Sequence, residues 1–80
     1  MNWEMRRKRT MYRTTFTEKD MVEAMMILRE DDVTWTVRSD RLQFLIGPYA
    51  ITTESVRKRF DLGKSQMQRF IAFLLRQEWS

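Results

Sequence analysis

The chain has no cysteine and no histidine. Without cysteine there is no disulfide staple and no thiolate metal site. Without histidine it lacks the commonest general base and the commonest metal ligand. Glycine occurs twice and proline once, and no glycine-rich phosphate loop or paired-carboxylate motif can be read. The expectation is therefore a protein that is not an enzyme and holds no metal or cofactor. No apolar run approaches the roughly 20 residues that a membrane helix needs. The basic N-terminus is not followed by the apolar region of a secretory signal. A soluble, cytoplasmic chain with no membrane association is expected.

What the chain does carry is charge, unevenly spread. Its 80 residues suit one domain with a modest core. The net charge is +4, with 15 basic and 11 acidic residues. Residues 1–16 hold Arg6, Arg7, Lys8, Arg9 and Arg13 against Glu4 and are strongly basic. Residues 17–40 are acidic, and residues 41–80 are basic again. Such asymmetry turns one part of a surface toward a polyanion.

Residues 1–15 read as a basic N-terminal arm, and residues 16–80 as a single domain. Like charges packed as densely as Arg6-Arg7-Lys8-Arg9 repel and resist compact structure. Basic arms of this kind reach phosphates or a minor groove. The bland alternative is a solvated tail. Trp3, Met5, Met11 and Tyr12 give the arm apolar groups that could pack on the domain or on a partner.

The first helix starts at Thr17-Glu18-Lys19-Asp20, where Thr17 caps and the two acids suit the helix dipole. Met21, Val22, Met25 and Leu28 form its apolar face, broadened by Met26 and Ile27, and it should run to about Glu30. Asp31-Asp32 places unfavourable charge at its C-terminus. The methionines read first as core. Because methionine re-packs easily, Met21 and Met25 are also interface candidates. Val33-Thr34-Trp35-Thr36-Val37 alternates like a strand. Its partner is either Tyr49-Ala50-Ile51 or Leu42–Ile46, the latter closing a hairpin around Arg38-Ser39-Asp40-Arg41. For residues 40–46 the favoured expectation is nevertheless a helix. Ser39 would be its cap, Leu42, Leu45 and Ile46 would share a face, and Gly47-Pro48 would stop it.

Residues 51–79 read as a short helix, a tight turn and a longer helix. Thr52 or Thr53 caps the first, and Glu54 suits its dipole. Val56 and Phe60 lie on one face, while Arg57, Lys58 and Arg59 fall around the remaining sides. Asp61-Leu62-Gly63 makes the turn, since Asp and Gly tolerate left-handed backbone. Ser65 is the expected cap of the second helix. Met67, Phe70, Ile71 and Leu74 form its buried stripe. Lys64, Gln66, Gln68, Arg69 and Ala72 fall opposite.

With Thr53 at the cap and Val56, Phe60, Leu62, Met67 and Phe70 at the apolar places, residues 51–76 resemble the helix-turn-helix of winged-helix regulators of bacterial or phage type. The resemblance implies a mostly α fold with a small β element, a winged-helix-like helix-turn-helix domain. It lacks a C-terminal wing, whose work would pass to the Val33–Ile46 region or to the arm. It also implies a transcription regulator that places the helix at 65–77 in the major groove of double-stranded DNA. Gln66, Gln68 and Arg69 are the candidates for base edges, because Gln pairs with adenine and Arg with guanine by two hydrogen bonds. Lys64, Ser65, Arg57 and Lys58, with Arg6, Arg7, Lys8 and Arg9 of the arm, are the phosphate candidates. One such module spans few base pairs, so a homodimer is expected. Met21, Met25, Trp35 and Trp79 are the candidates for its interface. An ordinary helical hairpin without a nucleic-acid role would show the same amphipathic pattern. The competing function is a protein-interaction module, a small inhibitor or accessory factor, acting through the acidic, Met-rich first helix.

Overall fold

The computed structural model describes residues 15–39 and 41–79, with side chains as far as Gln77. The described elements are α1 (Glu18–Glu30), β1 (Val33–Arg38), β2 (Arg41–Ile46), β3 (Tyr49–Ile51), α2 (Thr53–Phe60) and α3 (Lys64–Trp79). They form a small mixed domain in which three helices pack with an antiparallel sheet of order β1-β2-β3. The sheet is larger than the single strand and partner expected from the sequence. The arm candidates Arg6, Arg7, Lys8 and Arg9 lie outside the described residues.

Helix α1 begins as its sequence predicts. The Thr17 hydroxyl accepts the Asp20 N–H at 3.2 Å, and the Asp20 carboxylate accepts the Thr17 N–H at 3.0 Å. This reciprocal box satisfies two N–H groups that the first turn would otherwise leave open. Phe16 and Met21 occupy the flanking staple positions, and both are buried. The helix ends at Glu30, with Asp31 as its C-cap.

The helix expected over residues 40–46 is not formed by the described part of that stretch: Arg41–Ile46 is strand β2. Both candidate partners of β1 turn out to belong to the sheet, with β2 between β1 and β3. The register pairs Val33 with Ile46, Trp35 with Phe44 and Val37 with Leu42. That puts Leu42, Phe44 and Ile46 on the inner face by the two-residue period, whereas a helix would have grouped Leu42, Leu45 and Ile46. The open hydrogen-bonding edge of β1 decides between these readings, because a lone strand cannot satisfy its backbone. Gly47-Pro48 is a strand-to-strand turn, not a helix stop. Gly47 takes φ 59°, and a positive φ before proline's fixed negative one fits the type II′ hairpin.

The core is assembled from Phe16, Ala24 and Leu28 on the α1 side, Val33, Trp35 and Phe44 from the sheet, and Val56, Phe60, Leu62, Met67, Phe70, Phe73 and Leu74 from the C-terminal helices. Phe70 is fully buried, with Phe16 and Phe60 each edge-on to it at centroid distances of 5.8 and 6.2 Å. Such edge-to-face contacts set positive ring edges against negative ring faces. Met21 and Trp35, two of the interface candidates, are buried in this core, and Met25 is partly buried. The apolar groups that α1 leaves in solvent are Val22 and Met26, 41% and 52% exposed. The side chain of Trp79 lies outside the described residues. Among the described residues no helix is long and apolar enough to cross a membrane.

Candidate nucleic-acid interface

Helix α2 is capped by Thr52, the first of the two threonines that the sequence offers. Its hydroxyl accepts the Ser55 N–H at 3.0 Å. The helix ends at Asp61, which sits in the left-handed region at φ 59°, ψ 45°. Its N–H returns to the Lys58 carbonyl at 3.2 Å, and the Leu62 N–H reaches the Arg57 carbonyl at 3.1 Å. Leu62 is then buried between the two helices as the apolar plug of the turn.

Helix α3 starts two residues earlier than a Ser65 cap requires. Lys64 is its first residue, the Met67 N–H bonds the Gly63 carbonyl at 2.9 Å, and Ser65 lies inside the first turn. The Gly63 N–H is satisfied from the other direction, by the Gln66 side-chain oxygen at 2.8 Å. Gln66 is thus half-buried and occupied in closing the helix start, a role its position three residues after Gly63 could have disclosed.

The other polar side chains of α3 face outward. Lys64, Ser65, Gln68, Arg69, Ala72 and Arg76 are exposed, while Met67, Phe70, Phe73 and Leu74 are buried behind them. No acidic residue occurs from Lys64 to Gln77. Arg69 is held at the border of this face, where its Nη2 donates to the Phe16 carbonyl at 2.6 Å. The Arg76 guanidinium lies 5.9 Å from the Phe73 ring centroid. Lys64, Ser65 and Gln68 therefore form the outward group at the N-terminal half of α3, with Arg69 and Arg76 toward α1.

On α2, Lys58 is exposed and lines a cleft with Thr52, Glu54 and Ser55. Arg57 is committed to the turn. Its Nη1 donates to the Leu62 carbonyl at 2.8 Å, and its Nε donates to the Glu54 carboxylate at 3.1 Å, with Nη2 closing on the same carboxylate. The hydrogen bond from Arg57 holds the Glu54 carboxyl below its ordinary range, and the same bond raises the Arg57 guanidinium. Of the phosphate candidates on α2, Lys58 is the side chain presented to solvent.

Arg59 departs most from expectation. It is not on an outer side of α2 but buried, and its Nη2 donates to the Asp31 carboxylate at 2.9 Å. Asp31 is itself fully buried. A helix places Arg59 beside Val56, three residues before it, and Asp31 continues the line of Leu28 on α1 in the same way. That spacing was the available signal for both. Among the described residues no group of acidic side chains is arranged to hold a metal ion. No protein-family model, curated protein or solved structure matches the chain.

Proposed function

We propose that this protein is a small DNA-binding transcription regulator of bacterial or phage type, with α3 as the helix that enters the major groove. The observation that carries this reading is the outward face of α3. It follows a left-handed turn, begins with Lys64, Ser65 and Gln68, and carries no carboxylate as far as Gln77. Gln68 is the foremost base reader, since its amide can give and take one hydrogen bond each with adenine. Lys64 and Ser65 hold phosphates and fix the register, and Lys58 adds charge from α2. Arg69 reaches a base by exchanging the Phe16 carbonyl for guanine. Gln66 serves the helix start instead. In this reading the domain is winged-helix-like, with its hairpin ahead of the helix-turn-helix, and two copies read half-sites about one helical turn apart.

A second reading has one observation in its favour. Val22 and Met26, four residues apart, form an exposed apolar pair on α1 among Glu18, Glu23 and Glu30. Such a stripe suits a protein partner.

The test is a salt titration of binding to mixed-sequence duplex DNA, on the intact chain and on a variant with Arg6, Arg7, Lys8 and Arg9 changed to Gln. Steep salt dependence in both, shallower in the variant, supports a DNA-binding domain with an auxiliary basic arm. Absence of binding at low salt removes the reading and leaves the partner surface on α1.

A further inference from the structure

The sheet contains no acidic residue in any of its three strands, yet it carries two arginines, and both are at one place. Arg38 ends β1, Arg41 begins β2, and the register sets them directly opposite each other. Like charges directly opposite on a sheet repel, so this pairing lowers the stability of the hairpin that holds it. An anion held between the two heads would relieve that repulsion.

The space for it is present. Strand β3 pairs only with residues 44–46, so the Arg41–Gln43 end of β2 runs on past it. There a cleft of about 350 Å³ opens between the hairpin tip and the start of α2. Arg38, Arg41, Gln43 and Thr53 supply its polar wall, and Leu42 and Ile51 are among its apolar lining. No carboxylate lines it among the described residues. Asp40, between the two arginines in the chain, lies outside those residues. The nearest acid on α2, Glu54, is hydrogen-bonded to Arg57.

We propose that this cleft is a phosphate clamp, in which Arg38 and Arg41 grip one phosphodiester group of nucleic acid and Thr53 adds a hydroxyl donor. Two planar guanidinium forks match the oxygens of a phosphate. Thr53 is the first residue of α2, so the clamp is anchored on the same two-helix unit as the α3 face. The proposal rests on the DNA-binding reading above. It adds a second, sequence-independent point of attachment to it.

The experiment uses the full chain and two double variants, Arg38→Gln with Arg41→Gln, and Arg38→Lys with Arg41→Lys. Binding to a fixed duplex is measured over a range of salt, and thermal unfolding is measured alongside. Loss of that one phosphate contact should reduce the slope of log K against log salt by about 0.9. The Lys pair should keep most of that slope and bind more weakly than the arginines. The Gln pair should unfold at a temperature equal to or above the parent's, because a repulsion has gone. Unchanged affinity and slope in the Gln pair, with the parent binding normally, would overturn the clamp and leave the α3 reading standing. A parent chain that does not bind duplex at low salt overturns both. A Gln pair less stable than the parent makes the arginines structural and also overturns the clamp. Titration with inorganic phosphate, followed by the arginine side-chain NMR signals, separates the sources of the anion. Saturation by phosphate with an unchanged DNA slope in the Gln pair assigns the cleft to a free anion and overturns the nucleic-acid assignment.

Discussion

Arg59 and Asp31 are 28 positions apart, and one hydrogen bond of 2.9 Å joins them inside the protein. Their side chains are 2% and 0% exposed. The bond ties the C-terminal end of α1 to α2, so α2 is fastened to the first helix through a charge pair as well as through apolar contacts. Removing one partner leaves an uncompensated charge where water cannot reach it. Arg59→Ala or Asp31→Ala is therefore expected to cost about 3–5 kcal/mol in urea unfolding. The double variant Asp31→Leu with Arg59→Met should lose far less than the two single losses added together. Additive losses would show that the two charges do not act as a pair.

The aromatic trio predicts a different pattern. Phe70 is wholly buried and meets Phe16 from the residues before α1 and Phe60 from α2. Phe70→Ala should cost about 3–5 kcal/mol, the usual range for an aromatic removed from a core. Double-mutant cycles of Phe70 with Phe16 and with Phe60 should each return a coupling of about 0.5–1.5 kcal/mol. Zero coupling with Phe16 would mean that the residues before α1 add burial only, with no specific ring contact.

Much of this architecture was legible from local signals. Thr17 with Asp20 announced the start of α1, and Val33–Val37 announced a strand by alternation alone. Asp61 and Gly63 announced the turn. The failures share one cause, which is that a partner distant in sequence decided the outcome. Residues 41–46 carry apolar groups compatible with either period, and the unpaired edge of β1 selected the strand. Arg59 looked like one of three surface cations until Asp31 claimed it. Within the candidate site, the outward face of α3 followed from helical spacing. The uses made of Arg57 and Arg69 did not, because each bonds a carbonyl whose position only the folded chain defines.

The turn itself is open to test at Asp61. Its φ of 59° is one that a β-branched residue adopts with difficulty, while glycine adopts it freely. Asp61→Gly should leave the unfolding midpoint near its present value. Asp61→Val should lower stability by about 1–2 kcal/mol, the cost of a left-handed residue. Equal behaviour of the two variants would mean that the turn relaxes out of the left-handed region.

Glu54 supplies a pH dependence. Its carboxyl is held below the ordinary value chiefly by the hydrogen bond from Arg57. A depressed carboxylate binds its proton more weakly in the folded chain than in the unfolded one. Its contribution is thus fully present above the unfolded value and is lost as pH falls through the lowered folded one. Thermal midpoints measured from neutral pH into the acid range should therefore fall less in Glu54→Gln than in the parent. Because the pair is exposed, high salt should shrink that difference. A difference that grows with salt would contradict an ion pair at this place.

Under the proposed DNA-binding function the α3 face makes two kinds of contact, and two substitutions distinguish them. Gln68 projects from the exposed side of the helix without a hydrogen-bond partner among the described residues. If it reads a base edge, Gln68→Ala should cost about 1–3 kcal/mol on the preferred site and relax the preference at one base position. Lys64 stands at the first position of the helix and offers a point charge. Lys64→Ala should weaken binding about equally on every sequence and reduce the salt slope by about 0.9. Both residues lie on the solvent side of α3, so neither variant should shift the unfolding midpoint appreciably. The pattern to look for is a crossed one, with preference lost in the first variant and salt dependence lost in the second. A Gln68→Ala protein that keeps its full preference would move base reading to Arg69, and Arg69→Ala would then be the variant that loses it.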